Sequence, residues 1–162
     1  MADVFLITEG EIKEICTAID KNVDPAFLNL YTLAVQGNYV RPLLGKDLYK
    51  QILSQAEANT LSTANQTLVT LMKRPIAYWV WSESVWELSY RTTNAGVVSA
   101  TDDKFEVADA SIIDSQMQRY KNLAENFWNN DVKDYIDDNP SLYPLYGCGE
   151  KNAFNTGYGL YF

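Results

Sequence analysis

Histidine is absent from the 162 residues. That zero removes the Ser-His-Asp triad, Cys-His nucleophilic catalysis, imidazole acid–base chemistry and every histidine-containing metal site. Cysteine is nearly absent too. Cys16 and Cys148 are too few for a disulfide framework and too far apart for a CxxC metal or redox motif. Cys16 lies among Ile12, Ile15 and Ile19 and reads as a small buried apolar residue. Long apolar runs are missing. A membrane span needs ~20 apolar residues, and the richest window, 75–85, is broken by Ser82, Glu83 and Ser84. The first residues, Met-Ala-Asp-Val-Phe-Leu-Ile-Thr-Glu, carry no basic region ahead of their short apolar run. The expectation is a soluble protein made in a reducing cytoplasm. Basic residues are scarce: 13 Lys+Arg stand against 21 Asp+Glu, for a net charge of −8. Scattered lysines and arginines give no patch to neutralise nucleic-acid phosphates.

What is present is an ordinary globular balance, 47% hydrophobic and 21% charged, in a chain long enough for one domain with a real core. The helical signals are strong. Thr8 and Glu11 form a capping box ahead of Ile12, Ile15, Cys16 and Ile19, which predicts a helix over 9–20. Asp24-Pro25 is a helix start, and the second helix runs to about Val40, where Arg41-Pro42 predicts a break or kink. Gly45 reads as a helix-terminal turn before a third helix over 46–57. Ser62 caps a fourth over 63–92, apolar on two faces and therefore central, with a kink expected at Pro75. A fifth follows over 110–138. The expected fold is all-α: a compact bundle of about five helices, an extended loop or small β-hairpin near 93–108, and an irregular aromatic tail. In that hairpin Val97-Val98 and Phe105-Glu106-Val107 flank the turn Thr101-Asp102-Asp103. The helical domain spans 1–142 and the tail 143–162.

That tail holds four of the eight glycines yet keeps Phe154, Tyr158, Tyr161 and Phe162, unlike an aromatic-free flexible linker. Burial of its aromatics roughly offsets the cost of ordering its backbone. Hydrogen bonds to a partner, as in strand addition, tip it to the ordered state. It reads as a docking element.

Candidate chemistry is thin. Gly45-Lys46 lacks the upstream glycine and following Ser/Thr of a phosphate loop. Glu83 and Glu87 among Trp79, Trp81 and Trp86 are a carboxylate pair of the kind glycoside hydrolases use. The structural reading is an ion pair from Glu87 to Arg91 and a partly buried, partnered Glu83. Trp79 and Trp86 read as core. Asp131, Asp134, Asp137 and Asp138 lack the ordered ligand spacing of a calcium loop and read as a solvated acidic face.

The order of features resembles the head–tail connector, or adaptor, family of tailed bacteriophages. The resemblance rests on Asp24-Pro25-Ala26-Phe27-Leu28 and on Val40-Arg41-Pro42-Leu43-Leu44-Gly45-Lys46-Asp47-Leu48-Tyr49. It continues in Arg74-Pro75-Ile76-Ala77-Tyr78, Asn94-Ala95-Gly96-Val97-Val98 and Asn139-Pro140-Ser141-Leu142-Tyr143-Pro144, and covers roughly residues 5–146. It implies a structural virion protein, not an enzyme, without cofactor or metal. Such a protein forms a homo-oligomeric ring, usually a dodecamer, at the head–tail junction. The ring docks on the portal protein, extends the DNA channel without sequence-specific contact, and receives further tail or stopper rings. It touches no membrane and is synthesised in the host bacterial cytoplasm. By position, the implied portal-docking residues are Tyr143, Tyr146, Phe154, Tyr158, Leu160, Tyr161 and Phe162. The implied inter-ring loop residues are Val97, Val98, Asp102, Asp103, Lys104 and Phe105. Two other readings stand beside this one. One is a small hydrolase using Glu83 or Glu87; the other is a non-viral helical adaptor docking through its tail.

Overall fold

The computed structural model describes residues 3–19, 21–93, 96–99 and 109–148. The fold is all-helical in character. Helix α1 (Glu9–Ile15) is followed by α2 (Pro25–Val35), a π-helical turn (Gln36–Val40) and α3 (Arg41–Leu44), which form one continuous stretch. Next come α4 (Lys46–Glu57) and the long α5 (Thr63–Ser89). The short antiparallel strands β1 (Tyr90–Thr93) and β2 (Gly96–Ser99) lead to α6 (Ala110–Phe127). A second π-turn (Trp128–Lys133) joins α6 to α7 (Asp134–Asp138), and a 3-10 turn (Pro140–Leu142) follows.

The predicted caps are in place. The Thr8 hydroxyl accepts from the Glu11 amide and the Glu11 carboxylate accepts from the Thr8 amide. Asp24 accepts from the Ala26 amide with Pro25 at the first helical position. Ser62 Oγ accepts from the Asn65 amide at the start of α5. The end of α4 is a Schellman turn: Asn59 takes φ 53°, and the Thr60 and Asn59 amides donate back to Gln55 and Ala56.

Several boundaries differ from the sequence reading. Helix α1 ends at Ile15 rather than residue 20, although Cys16 and Ile19 are still buried. No break falls at Arg41-Pro42. The π-turn lets the Arg41 amide reach the Gln36 carbonyl, and the widened turn takes in a proline that has no amide to donate. The break comes at Gly45, with φ 87°. Helix α5 stops at Ser89, and residues 90–92, read as its last turn, form with Thr93 the strand β1. Its register pairs Val97 with Thr92 and Val98 with Arg91. The described strand pair therefore joins through 94–95, and the turn read at Thr101–Asp103 lies outside the described residues. Residues 105–107, read as the second strand, lie outside the described residues.

Helix α5 is the axis of the domain. It packs most extensively on α6, and α1, α2 and the second π-turn also lie against it. Its two apolar faces bury Leu68, Met72, Ile76, Trp79 and Val80. An aromatic series crosses the bundle: Tyr39 stacks on Trp79 at 5.1 Å between ring centroids, and Trp79 meets Trp128 at 5.7 Å. Gln36 turns inward from the π-turn. Its amide accepts from the Leu6 amide (2.8 Å) and donates to the Val4 carbonyl (2.9 Å), tying the N-terminal segment to the bundle.

Candidate functional site

The C-terminal segment begins as part of the body. Tyr143 is 3% exposed, and its hydroxyl donates to the Ala64 carbonyl at 2.7 Å, near the start of α5. Its ring meets Tyr135 edge-on at 6.0 Å. Tyr143, read as a docking residue, is packed into the core of its own chain, with its hydroxyl bonded to the Ala64 carbonyl. Tyr146 is half-buried against the core. Burial, with the nearby charge of Asp137, raises the pKa of its hydroxyl. Phe154, Tyr158, Leu160, Tyr161 and Phe162 lie outside the described residues.

Beyond Tyr143 the chain is fixed to the corner between α3 and α4. The Gly147 amide donates to the Leu44 carbonyl at 2.8 Å, and the Cys148 carbonyl accepts from the Asp47 amide at 3.4 Å. That carbonyl serves one of the open amides at the start of α4, which has no side-chain cap. Gly45 makes the approach possible, because a Cβ there would lie 2.8 Å from the Cys148 oxygen and 2.9 Å from Gly147 Cα. Sequence reading found Gly45 as a turn but not as this contact; a second glycine at 147 was its only signal.

The β1–β2 hairpin continues directly from the other end of α5. Val97 and Val98 lie in β2. Asp102, Asp103, Lys104 and Phe105 lie outside the described residues.

The carboxylates of α5 are tied to tyrosines. Glu83 is exposed, not partly buried, and accepts a hydrogen bond from the Tyr39 hydroxyl. Burial, reinforced by a hydrogen bond to Glu87 and by the charges of Glu87 and Glu83, holds the Tyr31 hydroxyl protonated far above its usual range. Lys121 sits 5.8 Å from the centre of the Tyr39 ring. The helical spacing that would set Arg91 one turn beyond Glu87 ends before it, because α5 stops at Ser89 and Arg91 belongs to β1. Trp86, read as core, is only half-buried and donates from its indole to Asp114 at 3.0 Å. Asp131 is half-buried, 3.5 Å from Arg74, while Asp134, Asp137 and Asp138 are exposed. No group of three or more acidic or cysteine side chains among the described residues is arranged to hold a metal ion. No described helix is long and apolar enough to cross a membrane.

Residues 40–156 match the model of a family described as of unknown function, DUF6712. That span begins just before the α3–α4 corner and includes the segment that packs on it. No curated protein and no solved structure gives a significant match. The family match covers well over half of the chain, and the protein belongs to the DUF6712 family.

Proposed function

We propose that this protein is a ring-forming connector of the phage head–tail junction that docks on the portal and extends the DNA channel. One observation carries the reading. Tyr143, at the head of the C-terminal segment, and the β1–β2 hairpin lie at opposite ends of α5. The segment reaches Ala64 in the first turn, and the hairpin begins after Ser89. A helix of 27 residues at ~1.5 Å per residue puts about 40 Å between the Tyr143–Ala64 contact and the start of the hairpin. A subunit in a stack of rings needs one contact element directed to each neighbouring ring, and two elements at the ends of one rigid helix meet that need. The aromatic residues 154–162 then dock on the portal, and the hairpin region with residues 100–105 faces the next ring.

Two further features support this role. The net charge of −8 suits a channel wall that DNA slides past without binding. The α5 carboxylates are exposed and engaged by tyrosines, which favours structure over hydrolysis.

The test is native mass spectrometry of the full chain, alone and mixed with the portal protein of its source phage. Ring-sized assemblies, or portal complexes carrying a ring's worth of copies, are expected. A monomer that ignores the portal overturns the reading.

A further inference from the structure

Helix α2 is apolar on two opposite sides. Residues 25–40, which form it and the π-turn, contain no charged side chain, in a chain that is 21% charged. Leu28, Thr32 and Val35 face the bundle and are buried. On the opposite side Ala26, Leu30 and Ala34 are exposed and Leu33 is half-buried, one stripe at helical spacing. Leu30 is 63% exposed, the highest value among the large apolar side chains of the described residues. A helix hydrophobic on both sides belongs between two layers, and the described residues supply only one.

The outer side of α6 is a counterpart. A shallow hollow of about 580 Å³ runs along that helix, with Ser115, Arg119, Asn122 and Leu123 in its lining. Leu123 is half-buried and gives it an apolar base. Ile112, 53% exposed, stands on the same side of α6 as Arg119 and Leu123, two and three turns earlier. Arg119 is the one charged side chain among the described residues of the hollow, and among the described residues it makes no ion pair.

We infer that α2 of one copy seats on α6 of the next, with Leu30 in the hollow over Leu123 and beside Arg119. Charge makes a second copy the fitting occupant. The chain carries −8, so its copies repel wherever their acidic faces meet. The α2 stripe brings no charge to the contact and the hollow brings only a positive one. Area favours a ring over an isolated pair. Helix α2 has 11 residues, ~16 Å at ~1.5 Å per residue, and is ~10 Å wide. A strip of that size is well short of the ~800 Å² that each partner of a stable two-body complex contributes. Two different faces of one chain join head to tail, so every copy in a closed ring makes the contact twice, and closure supplies the last contact intramolecularly. The inference rests on the connector reading for that closure and names the surfaces that build the ring.

The test uses the full chain, alone and with the portal protein, carrying a photo-cross-linking benzophenone side chain at position 30. Cross-links to residues 112–126 of another copy are expected. Cross-links to α2 of another copy, or only to the portal, overturn the inference. Ring-sized assemblies with no cross-link between copies from position 30 overturn it too, and leave the connector reading standing. Monomers that bind neither one another nor the portal overturn both. A charge exchange gives a second readout. Leu30 is exposed, so Leu30→Lys and Leu30→Glu should both keep the fold. Leu30→Lys faces Arg119 and should raise the concentration for half-assembly at least about tenfold more than Leu30→Glu does. Arg119→Glu should reverse that order. The same order in both backgrounds overturns the seat beside Arg119.

Discussion

Gly45 and Gly147 meet backbone to backbone: a Cβ on Gly45 would sit 2.9 Å from Gly147 Cα, whereas a Cβ on Gly147 would meet nothing within 4 Å. Both have positive φ, 87° and 72°. The two glycines are therefore unequal. Gly147→Ala carries only the backbone cost, roughly 1–2 kcal/mol. Gly45→Ala adds a clash with backbone that cannot swing aside, for a total of roughly 2–4 kcal/mol. Urea denaturation should rank the variants in that order, and equal losses would show that the 147–148 turn does not rest on Gly45.

The outline of this fold is legible in the sequence because caps and apolar periodicity are local. Thr8, Asp24 and Ser62 mark helix starts without reference to anything distant. The π-turn at 36–40 is not legible. It exists because Gln36 turns inward to hold Val4 and Leu6, residues some thirty positions away. The end of α5 is not legible for a related reason. Tyr90, Thr92 and Thr93 have strand-favouring side chains, but the apolar stripe preceding them carries the helical pattern past Ser89. The docking segment was legible as aromatic and glycine-rich; that Tyr143 belongs to the core depends on Ala64, which no local pattern reveals.

The two cysteines should differ sharply in reactivity. Cys16 is 1% exposed, and burial raises its thiol pKa to about 11. Cys148 is exposed. A thiol reagent near neutral pH should label one equivalent on the native chain, at Cys148, and two after denaturation. Rapid native labelling of Cys16 would mean that the turn after α1 opens readily.

Glu83→Gln with Glu87→Gln tests the carboxylate pair. Both side chains are exposed, and each accepts from a tyrosine hydroxyl. Loss of these bonds should cost no more than about 1–2 kcal/mol. Assembly by native mass spectrometry should be unchanged. A hydrolytic activity on a glycoside panel that disappears in the double variant would instead make the pair catalytic.

Glu11 contributes to the acid side of the stability profile. Burial alone would raise its pKa, but the hydrogen bonds and charge of Lys73 and the bonds to Thr8 outweigh it, leaving the carboxyl below its usual 4.5. A depressed folded-state pKa means that its contribution is complete above that value and lost as pH falls through the folded pKa. Glu11→Gln should therefore lower stability at neutral pH and flatten the acid limb. Thr8→Ala removes the cap and should cost about 1 kcal/mol. An acid limb that keeps its slope in Glu11→Gln would place the titrating group elsewhere.

Tyr143 contributes to the alkaline side. Burial, then its hydrogen bond and charge coupling to Tyr135, raise its hydroxyl pKa well above the ordinary 10.0. Tyr31, Tyr49, Tyr78 and Tyr146 are raised as well, each chiefly by burial. For a group whose folded-state pKa is raised, the contribution is complete below the unfolded value and is lost as pH climbs toward the folded one. Unfolding midpoints should hold steady up to about pH 10 and then fall as the unfolded chain releases tyrosine protons. Tyr143→Phe removes both the bond to Ala64 and one of these protons. It should cost about 1 kcal/mol near neutral pH and shrink the alkaline loss. An alkaline limb identical in slope to that of the parent chain would mean that Tyr143 ionises as freely in the folded state as in the unfolded one and that its bond to the Ala64 carbonyl does not hold the proton.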